Sequence, residues 1–422
     1  MKVRKSWVAG YAVIAAFSLA RVSMAADVPF AATGTLRDGP QTEKKTDGKD
    51  PGAGMAVPEV FSGATGTEKM PEALEPLFVR PLTKIESGRN DSNPQWSSQG
   101  SLVAFERSMG DKKEIHIALP DGTEVQTVYF QLSDGGDTKF FFPGVYEETS
   151  YNAGITWSPG EDRFVFMSNG GEGNYDLYLQ ELGEKTSARL TDHKEKDGQA
   201  HWSPVSDAVV FVSGRTGNGD LYLLDLRTKA LTRLTQGGRA YLYPQWSPDG
   251  TKIVMMHGSN ENHDIVLITD VKRPRESLKV LTTWPYDDLR PVWSPDGRKI
   301  AFYSNYNSAG DPKIWSIVVI AADGSGPTEG EGLAAKVAAT DVIPDVETGP
   351  AWMPDNSRIV YVKNDRQEYN PLYVVDVAQK TSMLIKTDTK MNHDVTCSMD
   401  GTIAFRAQVN QWDQIYIMRL KQ

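Results

Sequence analysis

Five of the six histidines are the residues whose chemistry first suggests a site: His193, His201, His257, His263 and His393. Neutral imidazole suits manganese, zinc or copper, provided that the fold gathers several rings. No His-Glu-x-x-His or similar ligand spacing joins them along the chain. Two interpretations stand: a metal site built mainly from His193, His201, His257 and His393, or histidines scattered over strands and surface. The missing spacing favours the second.

Three loops carry an Asn-x-Asp pattern, at Asn174–Asp176, Asn218–Asp220 and Asn262–Asp264. Their oxygens could bind Ca²⁺. Alternatively, each Asp closes a turn by bonding to nearby backbone N–H groups. One such Asp per repeat is what a turn requires, and we favour that interpretation.

Motifs of other chemistries are absent from the sequence. It has no Gly-x-Ser-x-Gly elbow and no Gly-Lys-Ser/Thr phosphate loop. A single cysteine, Cys397, excludes an intrachain disulfide and paired-cysteine metal sites. The formal net charge of −10 comes without a basic stripe, which argues against a nucleic-acid partner. We expect no cofactor, and a non-enzymatic role is favoured over catalysis.

The elements that would position a functional site come from seven copies of one sequence repeat. The clearest copies are Pro244–Val254 and Pro291–Ala301, each containing Trp-Ser-Pro-Asp-Gly. The anchor residues are Trp96, Trp157, Trp202, Trp246, Trp293, Trp352 and Cys397, spaced by 61, 45, 44, 47, 59 and 45 residues. A period near 45 with two long insertions is typical of one propeller blade per repeat.

Each repeat predicts four strands. One ends at Trp-Ser, a Pro-Asp-Gly turn leads to an alternating apolar strand, a third follows a polar loop, and a fourth ends in Leu-Thr. The last repeat supplies three strands, and Leu77–Thr83 carries the missing Leu-Thr ending. We predict an all-β propeller of seven four-stranded blades closed by pairing of its terminal strands, with six blades as the alternative.

The connections between repeats carry the residues that we expect to bind a partner. Loops between strands two and three and connections between blades lie on one face of a propeller, and two neighbouring connections there are rich in Tyr, Trp and Arg. The candidates are Arg239, Tyr241, Tyr243, Trp284, Tyr286, Asp288 and Arg290. We expect Trp284 and Tyr286 to be free of packing, whereas Tyr243 could pack between blades. The long connection Gln131–Asn152 opens on the same face.

The Trp-Ser-Pro-Asp-Gly turn, the Ile-Ala-Phe strand after it and the Leu-Thr ending resemble the WD40-like repeats of the TolB family, over about Leu77–Gln422. The resemblance implies a propeller that binds another protein as a scaffold. The chain differs from TolB in having a linker where TolB has an α/β domain, and seven repeats instead of six. Oligogalacturonate lyases, a related seven-bladed family, use histidines with a metal. That likeness implies an alternative function, a metal-dependent lyase acting on acidic oligosaccharides.

The N-terminal residues predict export. A basic start at Lys2–Lys5, an apolar run at Trp7–Ala20 and a small-residue cleavage site at Ser23–Ala25 are typical of a signal peptide spanning residues 1–25. Cleavage would change the net charge from −10 to −14, because four cations are removed. Residues 26–76 are predicted to be a disordered linker and 77–422 the propeller. We expect a periplasmic or secreted monomer without a membrane span, whose partner is another envelope or secreted protein.

Overall fold

The structure is a computed structural model, and it describes residues 73–110, 112–128, 152–170, 174–258, 262–306, 311, 313–323, 325, 334–345, 347–366 and 369–421. The predicted signal peptide, residues 26–72 of the predicted linker, and residues 131–151 of the long connection lie outside this set. The described strands form seven four-stranded antiparallel sheets arranged as the blades of one propeller. The predicted fold class and blade number are therefore confirmed, and the six-blade alternative is wrong.

In blades 1 to 6 the strands follow the chain from the channel outward, and in blade 7 the outermost strand is the first described strand of the chain. Strand β1 (Pro76–Pro81) belongs to blade 7 and is followed in sequence by blade 1. Blade 1 contains β2 (Arg89–Trp96), β3 (Val103–Met109), β4 (Lys112–Ala118) and β5 (Glu124–Val128). Blade 2 contains β6 (Asn152–Trp157), β7 (Arg163–Ser168), β8 (Asp176–Glu181) and β9 (Ser187–Arg189). Blade 3 contains β10 (Asp197–Trp202), β11 (Ala208–Ser213), β12 (Asp220–Asp225) and β13 (Leu231–Arg233).

The remaining blades have the same order. Blade 4 contains β14 (Ala240–Trp246), β15 (Ile253–Gly258), β16 (His263–Ile268) and β17 (Leu278–Val280). Blade 5 contains β18 (Asp288–Trp293), β19 (Lys299–Ser304), β20 (Trp315–Ala321) and β21 (Val337–Val342), with a 3-10 helix at Ala334–Lys336. Blade 6 contains β22 (Ala351–Trp352), β23 (Arg358–Val362), β24 (Leu372–Asp376) and β25 (Thr381–Leu384). Blade 7 contains β26 (Lys390–Cys397), β27 (Thr402–Val409) and β28 (Trp412–Leu420).

The turn after the inner strand, which is Pro-Asp-Gly in the clearest copies of the repeat, is held by its own side chains. In blade 4, the Ser247 hydroxyl donates to Asp249 Oδ1 at 2.5 Å, and the Thr251 N–H donates to the same oxygen at 3.0 Å. Gly250 has a φ of 67°, a conformation that glycine adopts without a steric penalty. The recurring sequence is therefore a turn requirement, and it places all seven of these turns on one face of the propeller.

The Leu-Thr ending has an equally local cause. The Thr235 hydroxyl accepts from the Leu221 N–H at 2.9 Å and donates to Asp220 Oδ1 at 3.1 Å. Asp220 also pairs with Arg233, with 2.7 Å between Oδ2 and Nη2. The threonine thus ties the end of the fourth strand to the start of the third. Because these contacts engage the Asp carboxylate of an Asn-x-Asp loop, they support the turn interpretation over a Ca²⁺ site.

The ring is closed by its two terminal strands, as predicted. Strand β1 pairs antiparallel with β28, with Val79 opposite Met418. The Thr83 hydroxyl accepts from the Ile415 N–H at 3.1 Å, repeating the Leu-Thr contact of the other blades. Leu74, within the predicted linker, also bridges to Ile385 of blade 6. Closure leaves blade 7 with the same four strands as its neighbours.

The core lies between neighbouring blades. Strand β11 is buried along its whole length, because a blade contacts a neighbour on both sheet faces. One apolar cluster runs through blades 3 to 6, from Val210 to Val375. Cys397 is half-buried at its anchor position, and burial raises the pKa of its thiol to about 12. Within the described ranges, no helix has the length and hydrophobicity needed to cross a bilayer.

Candidate functional site

A ring of seven residues around the central channel shares one unusual backbone conformation. Each lies three residues before its anchor and has a positive φ, from 50° at Tyr243 to 78° at Gly349. The ring residues are Asn93, Gly154, Gln199, Tyr243, Arg290, Gly349 and Asp394. In six blades the pairing register between the first two strands shifts at this point, which marks a β-bulge. A bulge removes a residue from the strand ladder and re-aims its side chain.

The bulges also link the blades to one another. A backbone N–H taken out of the ladder needs another acceptor. The Tyr243 N–H donates to Gln199 Oε1 at 2.8 Å, and the Asn93 N–H donates to Asp394 Oδ2 at 3.1 Å. In each pair, the acceptor belongs to the preceding blade. These contacts restrain the channel wall, because each of them ties the inner strand of one blade to the blade before it.

Blade 6 departs from the repeat at this position. Val342 bridges to Lys363, and Ala351 pairs with Val360, so the chain leaves the sheet between residues 343 and 351. In blade 4, only Tyr243 and Pro244 leave the ladder at the corresponding place. The longer segment of blade 6 is organised by Asp345, whose Oδ1 accepts from the N–H groups of residues 347 and 348 at 2.8 and 3.1 Å. It brings Glu347 and Thr348 to the channel.

A cavity of about 570 Å³ lies in the channel. Its wall contains residues of the inner strands of blades 1 to 4, together with Arg290 of blade 5 and Glu347 of blade 6. It extends to the turns after the anchors, where Gln99, Pro159 and Pro204 line it. Because these turns lie at the opposite end of the inner strands from the predicted binding connections, the cavity reaches the opposite face of the propeller. A cavity of this size accommodates a small molecule or a short peptide segment.

The charged groups of the cavity are unevenly paired. Glu106 forms an ion pair with Lys113, and Glu106 Oε1 also accepts from the Asn93 side-chain amide at 2.8 Å. Arg290 is only 8% exposed, and no carboxylate of the described residues lies within ion-pair distance of it. Its guanidinium lies 4.2 Å from the centre of the Tyr243 ring and donates from Nη2 to the Glu347 carbonyl.

Glu347 is a cavity residue whose pKa is raised by its surroundings. Glu347 is exposed to solvent by surface area, although it lies inside the channel and lines the cavity. Desolvation there, followed by the charge of Glu106, raises its pKa to about 7, against the opposing effect of Arg290 and Lys113. Glu347 therefore changes charge near neutral pH, within the same cavity as a buried arginine.

The histidines that we considered as metal ligands lie on different strands and connections, and their rings contact other protein groups. His201 lines the cavity, and its Nδ1 accepts from the Trp246 N–H at 3.4 Å. Burial, assisted by the charge of Arg290, lowers the pKa of His201 to about 4. In blade 7, His393 contacts the Asn370 amide at 3.1 Å, and burial lowers its pKa to about 4 as well. Both rings are therefore neutral at pH 7.

The other candidate histidines are likewise held by local contacts. His257 stacks on Tyr241 with 4.3 Å between ring centres. His193 Nδ1 accepts from the Glu195 N–H at 3.1 Å. His263 contacts Asp287 Oδ1 at 2.7 Å. Across the part of the chain that the structure describes, no three His, Cys, Asp or Glu side chains are arranged to hold a metal ion.

Two of the seven predicted binding residues line the cavity, and the other five do not. Tyr243 and Arg290 line the cavity. Arg239 is exposed and Tyr286 is half-buried, whereas three others are buried: Tyr241, Trp284 and Asp288. The expected exposure of Trp284 is wrong, because its indole packs on Phe302 with 6.3 Å between ring centres and is only 5% exposed. Tyr286 is not free of packing either, since its ring meets the Tyr306 ring edge-on with 5.1 Å between ring centres.

Sequence reasoning missed most of the cavity wall. Gln95, Gln99, Gln199, Glu106 and Glu347 all line it. A signal for part of it was present, since aligning the repeats on their anchors shows that the third residue before the anchor differs in chemical type in nearly every blade. A position fixed by packing would repeat one type, as the tryptophans do.

The fold and its repeats agree with known proteins. The TolB beta propeller domain family matches residues 144–329. An oligogalacturonate lyase from Vibrio parahaemolyticus is 13% identical, with 82% of this chain and 94% of that chain covered and a TM-score of 0.58. A puromycin-hydrolyzing peptidase from Mycobacterium tuberculosis is 12% identical, with coverage of 76% and 49% and a TM-score of 0.55.

TolB from Acinetobacter baumannii is also similar, at 18% identity and a TM-score of 0.47, and the match spans 74% of this chain and 66% of that one. No match was found among curated proteins. At these identities, the likeness to solved structures shows the fold alone.

Proposed function

We propose that this chain, a propeller of TolB-like repeats, is an exported binding module that holds another envelope or secreted protein at its central channel. The observation that carries the proposal is the channel cavity, with its restrained wall and its polar lining. Inner strands cross-linked by hydrogen bonds present side chains without needing to be ordered on binding, which favours affinity. The basic and apolar N-terminal residues support export to the periplasm or beyond.

The side chains of the cavity suit recognition better than nucleophilic chemistry. Gln95, Gln99 and Gln245 line it, and each amide offers both donors and an acceptor. His201 is neutral, and its Nδ1 is engaged by a backbone N–H. The Thr348 hydroxyl donates to the Asp345 carboxylate. On the described wall, no serine hydroxyl is hydrogen-bonded to His201, the usual pairing of nucleophile and base in covalent catalysis.

A lyase acting on acidic oligosaccharides is the second candidate function. One observation favours it: Glu347, with a pKa of about 7, shares the cavity with Arg290. A carboxyl group near neutrality can take up a proton, and an arginine can hold the carboxylate of a uronic acid beside it. The candidate histidines do not converge on this cavity, so a metal-dependent mechanism lacks its ligand set in the described residues.

Capture of a partner tests the binding proposal. Immobilised residues 26–422 should retain a discrete protein from a periplasmic extract of the source cells. Ala200→Trp should weaken that capture at least tenfold, because the new indole fills the cavity that Ala200 lines. Leu231→Trp is the matched control, since it places the same side chain on the exposed fourth strand of the same blade.

The two candidate functions give different results in this experiment. Capture that Ala200→Trp leaves unchanged would move the site away from the channel. Release of unsaturated products from polygalacturonate, with or without added Mn²⁺, would favour the lyase and contradict a purely binding role.

A further inference from the structure

Arg290 is a buried cation, and no carboxylate of the described residues forms an ion pair with it. Its Nη2 donates to the Glu347 carbonyl, and Tyr243 covers one face of its guanidinium. The Nε–H is buried and has no hydrogen-bond partner among the described residues. Other arginines of low exposure are paired: buried Arg107 donates to Asp91 through two bonds of 2.7 and 3.1 Å, and half-buried Arg406 donates from Nη1 to Asp413 at 3.0 Å.

A cation in this state calls for an anionic partner. Burial of a charge without a counter-charge is costly, and stacking on an aromatic ring offsets only part of that cost. A guanidinium with one covered face still presents its edge, which matches the planar geometry of a carboxylate. Because Arg290 lines the cavity, a carboxylate that enters the cavity can reach it.

We propose that the cavity binds an acidic side chain of an extended peptide segment, whose carboxylate pairs with Arg290. This inference rests on the proposed binding function and specifies its chemistry. A peptide fits the wall because glutamine amides can satisfy backbone N–H and C=O groups. Gln199 already makes such a bond within the protein, accepting from the Tyr243 N–H at 2.8 Å.

Glu347 acts in this arrangement as an internal competitor for the ligand. The groups that face it are Arg290 and Lys113, which are cationic, and Glu106 and Asp345, which are acidic. When Glu347 is ionised, its negative charge weakens attraction of a second carboxylate to Arg290. Binding of an acidic peptide should therefore strengthen as the pH falls from 8 to 6, the range in which Glu347 takes up its proton.

Titration with two blocked tripeptides tests the proposal. The probes are acetyl-Gly-Glu-Gly-amide and its neutral glutamine counterpart, added to residues 26–422 at constant ionic strength. Tryptophan fluorescence reports occupancy, because Trp96, Trp157 and Trp202 line the cavity. The acidic peptide should bind at least about tenfold more tightly than the neutral one, which is the effect of one charge-assisted contact.

Two variants separate the carboxylate contact from general effects on folding. Arg290→Gln should remove the preference for the acidic peptide, and glutamine is already accommodated at this ring position in blade 3. Glu347→Gln should strengthen binding of the acidic peptide at pH 8 and abolish the dependence on pH. The second variant keeps Arg290, so it still tests the proposal if Arg290→Gln fails to fold.

Several outcomes would overturn the proposal. They are equal binding of both peptides, no binding at about 10 mM peptide, and an acidic preference that survives Arg290→Gln. Tighter binding of trigalacturonate than of the acidic peptide would assign the cavity to a sugar acid instead. If the wild-type chain and Arg290→Gln capture the same protein equally well, the proposed binding function stands and the carboxylate inference fails.

Discussion

Replacing Asp288 by asparagine should stabilise the protein at pH 8 and should have a much smaller effect at pH 5. The Asp288 carboxyl is fully buried. Neither of its oxygens makes a hydrogen bond of ordinary geometry to a described residue, although Ser304, Trp284 and Thr282 lie near enough to lower its pKa. Burial outweighs them and raises that pKa from 3.8 to about 7.

The magnitude follows from the difference between the folded and unfolded pKa values. Between about pH 4 and pH 7 the unfolded chain has released the Asp288 proton while the folded protein retains it, so stability falls as the pH rises. A difference of about three pKa units corresponds to about 4 kcal/mol, at 1.36 kcal/mol per unit. Asn carries no charge, so Asp288→Asn should escape most of this loss at pH 8.

Urea unfolding followed by tryptophan fluorescence at both pH values measures the effect. Asp197 is the matched control, because it is likewise the fifth residue before its anchor but pairs with Arg215, with 2.9 Å between Oδ2 and Nη2. Asp197→Asn should destabilise the protein by about 2 kcal/mol or more at either pH, since it leaves a largely buried guanidinium without its partner. A loss of stability at pH 8 in Asp288→Asn would refute the reasoning.

Three further predictions concern the architecture. Deleting residues 73–83 should lower the melting temperature sharply, because blade 7 loses its fourth strand, whereas deleting residues 26–70 should leave it nearly unchanged; equal effects would contradict the closure. Gly349→Ala should cost more in thermal unfolding than Gly154→Ala, because both have positive φ but only the Gly349 Cβ would meet Val292, at 2.5 Å from Cγ2. Thr235→Val should cost about 1–3 kcal/mol in urea unfolding, and exposed Thr232→Val should cost almost nothing.

Much of the fold could be predicted because its causes are local and repeated. Asp249 and Gly250 close a turn within five residues of their anchor, and Thr235 bonds to the strand beside it. Such requirements leave the same residues at the same place in each repeat. The closing strand could be found for the same reason, since Thr83 makes the contact that the other Leu-Thr endings make.

The site was harder to predict because it depends on where the chain deviates from the repeat. The spacing of 59 residues before Trp352 shows that blade 5 or blade 6 has extra residues, but not that some of them enter the channel. Trp284 looked free because it lies in a connection, and only the three-dimensional neighbour Phe302 shows that it is packed. Arg290 was identified from the sequence as a binding residue. That no described carboxylate pairs with it could not be predicted, because this depends on which segments, distant in the chain, come together in the fold.

The ring of bulged residues has an evolutionary consequence. The seven ring positions share one backbone conformation, and Asn, Gly, Gln, Tyr, Arg and Asp all occur in it. The anchors and turns that hold this geometry are separate residues, although Gln199 and Asp394 also bond to the next blade and Gly349 is confined by Val292. Mutations at the other ring positions therefore compete least with the demands of folding. A combinatorial library limited to these positions would vary the channel lining of a constant scaffold, much as hypervariable loops do on an antibody domain.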